Sequence, residues 1–101
     1  MELDRKLIAD AVEHELFRHP DFRGNWSALE RESRVSHSTM SRLKRADERV
    51  TQGKMRQIEA ALGLPFDTLA TVGAGDLDGL RELGVPDKLI AWLTPRIAAH
   101  G

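Results

Sequence analysis

The chain has 101 residues, 41% hydrophobic and 31% charged, with a formal net charge of −1. That make-up fits one globular domain with a short appendage and excludes a disordered chain. The absence of cysteine excludes disulfides, thiolate catalysis and zinc-finger ligation.

The opening MELDRKLIAD is too charged for a signal peptide, and no apolar run reaches the length of a membrane span. The expected location is therefore cytoplasmic, with no membrane partner. Leu3, Leu7, Ile8, Ala11, Val12 and Leu16 recur at helical spacing and predict a first helix of about four turns. Pro20 cannot continue it, and His19 before Pro20 is pushed out of helical geometry. Phe17 is expected to fold back on the core, and Asp21 to Gly24 to form a turn.

Asn25 is an N-cap for a second helix, with Trp26 and Leu29 facing inward. Ser33 and Arg34 end that helix, and Val35 is the buried residue of the turn that follows. Ser36 is the next N-cap. From it a helix runs to about Arg45, with Met40 and Leu43 inward. Ala46 to Val50 reads as a charged loop. Thr51 caps a fourth helix with Met55, Ile58, Ala61 and Leu62 on one face, and Gly63 suits the left-handed position after its end. Pro65 is placed as the first residue of a fifth helix bearing Phe66, Leu69 and Val72.

Gly73-Ala74-Gly75 is the clearest linker signal, dividing a domain of residues 1–73 from an extension of residues 74–101. In that extension Asp76 caps a helix with Leu77, Leu80 and Leu83, weakened by Gly79 and stopped by Gly84. Pro86 starts a last helix with Leu89, Ile90, Trp92, Leu93 and Ile97, which Pro95 should kink. A hairpin this small cannot bury its own stripe. Leu89, Trp92, Leu93 and Ile97 are therefore expected either to brace the first five helices or to meet a second copy in a homodimer. No alternation of strand period occurs, so the fold class is all-α.

The net charge conceals an asymmetry. Arg31 to Arg56 holds eight basic residues against three acids, a local charge of +5, and the rest of the chain carries −6. Local charge decides whether a face attracts a polyanion. The basic island coincides with the two short helices around Val35. Two helices joined by a sharp turn let the second enter a DNA major groove, provided that an apolar set fixes their crossing and polar groups face out. Leu29, Val35, Met40 and Leu43 supply the first. Ser36, His37, Ser38, Ser41, Arg42 and Arg45 supply the second.

Arg42 can offer a guanidinium fork to guanine O6 and N7. His37, Ser38 and Ser41 are short enough to let the helix sink and read bases. Ser36, Lys44, Arg45, Arg49 and Lys54 suit phosphate contacts, as do Arg34 at the turn and Asn25 and Ser27 at the start of the preceding helix. A solvated basic face is the plain alternative for the cations, and a solvent-facing helix start for His37. His14, His19 and His100 have no metal-ligand spacing. No carboxylate pair, activated nucleophile or phosphate loop stands out. Neither an enzyme nor a metal or cofactor is expected.

The run Arg34–Leu69, RVSHSTMSRLKRADERVTQGKMRQIEAALGLPFDTL, resembles the lambda repressor/Cro-type helix-turn-helix family. Val35, Ser36, Ser38, Thr39, Met40, Ser41, Arg42 and Leu43 carry the likeness, with Ile58, Ala61, Leu62, Gly63, Leu64 and Leu69 further on. It extends over about residues 5 to 72. It implies a five-helix domain that binds double-stranded DNA, usually as a dimer on a two-fold operator, with the helix from Ser36 as recognition helix. It further implies a transcriptional regulator, a repressor of phage or prophage kind or a related bacterial one. Two positions depart from the family pattern. Arg34 stands where glycine is usual, which implies a left-handed backbone cost. Glu30 stands where alanine is usual, and is expected to reach outward or to pair with Arg34 or Arg42. The alternative in another class is an antitoxin-like or anti-repressor module that binds a protein through the C-terminal apolar stripe.

Overall fold

The computed structural model describes residues 2–100. Its elements, in chain order, are α1 (Arg5–Arg18), α2 (Trp26–Ser33), α3 (His37–Lys44), α4 (Gln52–Leu62), α5 (Thr68–Ala74), α6 (Leu77–Leu83) and α7 (Asp87–His100). The described residues contain no strand, and the fold is all-α.

Five of the helix starts share one chemical cause. Asp4, Asn25, Ser36, Thr51 and Asp76 lie just before α1, α2, α3, α4 and α6, and each side chain accepts the N–H three residues on. These bonds satisfy donors that a helix start leaves unpaired. Asp4 caps α1, so Leu3 precedes the helix and packs on the core from outside it, where the spacing had placed it within the helix. At the other ends, Gly63 and Gly84 close α4 and α6 in the left-handed conformation.

α5 departs from the sequence expectation. It begins at Thr68 and not at Pro65, because its cap comes from another helix. Asp67 occupies the left-handed region (φ 73°) and makes no side-chain cap bond. Instead the Glu59 carboxylate, reaching from α4, accepts the Asp67 N–H at 3.0 Å and the Leu69 N–H at 2.6 Å. Glu59 is 1% exposed. Burial pushes its pKa up, and the two backbone N–H groups pull against that shift. Phe66, left in the turn ahead of this start, is 63% exposed and does not join the core.

One continuous core runs through every helix. It joins Ile8, Val12 and Leu16 of α1 to Leu29, Met40, Ile58, Leu69 and Val72, and on to Leu80, Leu89 and Leu93. The Cα radius of gyration is 12.4 Å, against about 13 Å for a compact domain of this length, so α6 and α7 fold against the other five helices. Phe17 is 62% exposed, correcting its expected place in the core. Phe22, in the turn after α1, is buried in its stead.

The expected linker is also structural. Gly73 and Ala74 belong to α5, and the Gly73 carbonyl accepts the Asp4 N–H at 2.8 Å. A Cβ on Gly73 would lie 2.8 Å from Ile8 Cδ1, so the absence of a side chain lets α1 and α5 close up. α7 runs without interruption through Pro95.

Candidate nucleic-acid interface

The turn between α2 and α3 is held from three sides. Arg34 adopts the left-handed conformation, with φ 59° and ψ 29°. Ser33 is buried. Its hydroxyl donates to the Leu29 carbonyl at 2.6 Å and accepts the Val35 N–H at 3.4 Å. Gln57, from α4, donates its amide to the Ser33 carbonyl at 3.2 Å, satisfying an acceptor that the end of α2 leaves open. Val35, 2% exposed, plugs the turn.

α3 therefore projects from a fixed base. Met40 and Leu43 are buried, while Ser36, His37, Ser38, Lys44 and Arg45 are exposed and Ser41 and Arg42 half-buried. At the start of α3, Ser36 Oγ accepts the Thr39 N–H at 3.2 Å and sits 3.0 Å from Thr39 Oγ1 and 3.3 Å from Ser38 Oγ. Small hydroxyls thus fill the first turn, and the long cations stand in the last.

The basic residues differ in what engages them. Among the described residues, Arg31, Arg34, Arg42, Lys44, Arg45 and Lys54 form no ion pair. The Lys44 ammonium lies 4.7 Å from the centre of the half-buried Trp26 ring, a cation–π contact that ties the end of α3 to the start of α2. Lys54 is half-buried in the first turn of α4, where its N–H donates to Thr51 Oγ1.

Arg49 is different from these. Its guanidinium donates to both Asp47 oxygens, at 3.1, 3.1 and 2.7 Å, and its N–H donates to Oδ1 at 2.8 Å. These bonds, with the charges of Arg49 and Arg42 adding, hold the Asp47 carboxyl well below the usual carboxylate range. The expected phosphate contact of Arg49 thus starts from a cation whose fork is already filled. The signal was present in the sequence: an Asp in a loop accepts the N–H two residues on, and here that residue is an arginine.

Of the proposed phosphate contacts on α2, Asn25 spends its side-chain oxygen on the Ala28 N–H at 3.1 Å, and Ser27 is exposed in the first turn. Glu30 pairs with neither Arg34 nor Arg42. Its Oε2 lies 3.2 Å from Nδ1 of His37, across from α2 to the first residue of α3.

The C-terminal stripe is divided. Leu89 and Leu93 are buried within the chain's own core, and Trp92 and Ile97 are half-buried. The Trp92 ring stacks with the His14 ring, their centres 4.3 Å apart, and the Arg96 guanidinium lies 3.8 Å from its centre. Burial lowers the His14 pKa, and the nearby Arg18 and Arg96 charges add to the effect.

No helix among the described residues is long and apolar enough to cross a membrane. Nor does any group of three His, Cys, Asp or Glu side chains stand ready to hold a metal ion there. Comparison with protein-family models, with curated proteins and with solved structures finds no match to this chain.

Proposed function

We propose that the protein is a sequence-specific duplex-DNA-binding transcriptional regulator of helix-turn-helix type, acting as a repressor by occluding a promoter. The observation that carries this reading is α3. It is a short helix seated by Met40 and Leu43, opened by small hydroxyls and closed by Arg42, Lys44 and Arg45, which form no ion pair among the described residues. Such a helix can sink into a major groove, and unpaired cations are what a polyanion requires.

In this reading α3 docks in the groove. Arg42, His37, Ser38 and Ser41 read bases, while Arg34, Lys44, Arg45 and Lys54 grip phosphates. Arg42 is half-buried, which limits its swing and favours one fixed reach. Binding to a two-fold operator would require a homodimer with its two α3 helices about 34–36 Å apart. The alternative, a protein-binding module built on the C-terminal stripe, loses Leu89 and Leu93 to the chain's own core and keeps only the half-buried Trp92 and Ile97.

The test is selection of bound duplexes from a random pool, repeated with Arg42→Ala. The substitution is expected to weaken binding by roughly 1–3 kcal/mol and to relax the preference at one base pair. A variant that selects the same sequence with the same affinity would displace Arg42 from the reading set.

A further inference from the structure

Resting on that reading, we infer that Glu30 is a specificity-positioning residue: it fixes which nitrogen of His37 carries the proton, and so which bases His37 accepts. The observation is the 3.2 Å contact between Glu30 Oε2 and His37 Nδ1. The two ends of this contact have unequal freedom. The Glu30 side chain is 20% exposed and that of His37 is 84% exposed. A half-buried carboxylate on α2 therefore holds one edge of a ring whose opposite edge faces solvent, on the surface assigned to DNA.

The chemistry follows from the donor inventory. An ionised carboxylate only accepts hydrogen bonds, so the nitrogen facing it must be the donor. In the neutral ring a proton on Nδ1 leaves Nε2 bare, and a bare Nε2 is an acceptor. An acceptor in the major groove pairs with the amino groups of adenine (N6) or cytosine (N4). The exposed edges of guanine and thymine offer acceptors there and would be refused. Without Glu30, the proton can sit on either nitrogen, and His37 could serve donors and acceptors alike. Position 30 thus sets a base preference without touching a base. The unpaired cations of α3 and the turn supply affinity separately.

The experiment has two arms, each on the full chain. The first is nitrogen NMR of the His37 ring in the free protein at about pH 8, above the ordinary imidazole range. The wild type is expected to show the proton on Nδ1. Glu30→Gln, whose amide can both donate and accept, is expected to show a mixture or the reverse. The second arm is duplex selection with wild type, Glu30→Gln, His37→Ala and the double variant. The base pair that His37→Ala relaxes should carry a wild-type preference of roughly tenfold, the worth of one well-made hydrogen bond, that is lost when the major-groove amino group of its adenine or cytosine is removed. Glu30→Gln should erase that preference at the same base pair and no other. The double variant should add nothing to His37→Ala.

A wild-type proton on Nε2 overturns the inference. So does a base preference that survives Glu30→Gln, or one that survives removal of the major-groove amino group at that base pair. Failure of the DNA-binding reading itself would look different. The wild type would bind no duplex, whatever the proton position, and the reading role of His37 would fall with it.

Discussion

Arg34 holds its left-handed backbone at the point where α2 gives way to α3. A residue with a Cβ in that region carries a cost of roughly 1–2 kcal/mol that glycine escapes. Its side chain is exposed and forms no ion pair among the described residues, so the folded chain recovers little of that cost locally. A strained arginine at the mouth of the proposed groove is consistent with a phosphate contact. Arg34→Gly should therefore raise the thermal midpoint by a few degrees, since about 1 kcal/mol moves a domain of this size by several. The same variant should lose affinity evenly across all duplex sequences. A variant that gains stability and keeps its affinity would leave Arg34 with no role on DNA. The strain at this position was legible in the sequence, because a turn that calls for glycine shows an arginine. The partner of Glu30 was not, because the choice among Arg34, Arg42 and His37 depends on how α3 is set against α2.

At the scale of elements, the caps were the most legible feature. Asn25, Ser36, Thr51 and Asp76 act on the N–H three residues on, an interaction contained within one turn of chain. The start of α5 was not legible, because its cap is Glu59, eight residues before Asp67 and on another helix. A glutamate amid a helix ordinarily reads as a surface residue. Phe17 and Phe66 illustrate the converse: large aromatics are expected inside, yet each sits where its helix or turn faces solvent.

The buried Glu59 gives this element a pH signature. Burial raises its pKa above the ordinary 4.5, so the folded chain holds that proton more tightly than the unfolded chain. Its contribution is complete below the ordinary value and is lost as pH rises through the raised one. Urea midpoints of the wild type, compared with Glu59→Gln from about pH 4 to pH 8, should show a decline with rising pH in the wild type that the variant lacks. Parallel profiles would assign the pH dependence to other carboxylates.

Over the whole molecule, the extension from Asp76 shares a core with the rest of the chain. Leu80, Leu89 and Leu93 are fully enclosed without any second copy. Leu93→Ala should therefore lower unfolding stability by about 2–5 kcal/mol, as deletion of a buried leucine side chain does. The sizing profile of the folded variant should match that of the wild type. A shift from dimer to monomer with stability unchanged would instead place Leu93 at an interface between copies. The all-α class was legible from periodicity alone. The docking of α6 and α7 was not. An apolar stripe records that something covers it, and leaves open whether the cover is the same chain.

The charge pattern also belongs to this scale. A basic island of +5 within a chain of net −1 has a function only if its cations remain available, and all but Arg49 and Arg56 lack an ion pair among the described residues. The most direct measurement is duplex affinity as a function of salt. With Arg34, Lys44, Arg45 and Lys54 on phosphates, the log–log slope should be about −3 to −4 per protomer, at roughly −0.9 for each phosphate neutralised. Alanine at any one of the four should reduce the slope by about one. An affinity indifferent to salt, or no duplex binding at low salt, would contradict the account.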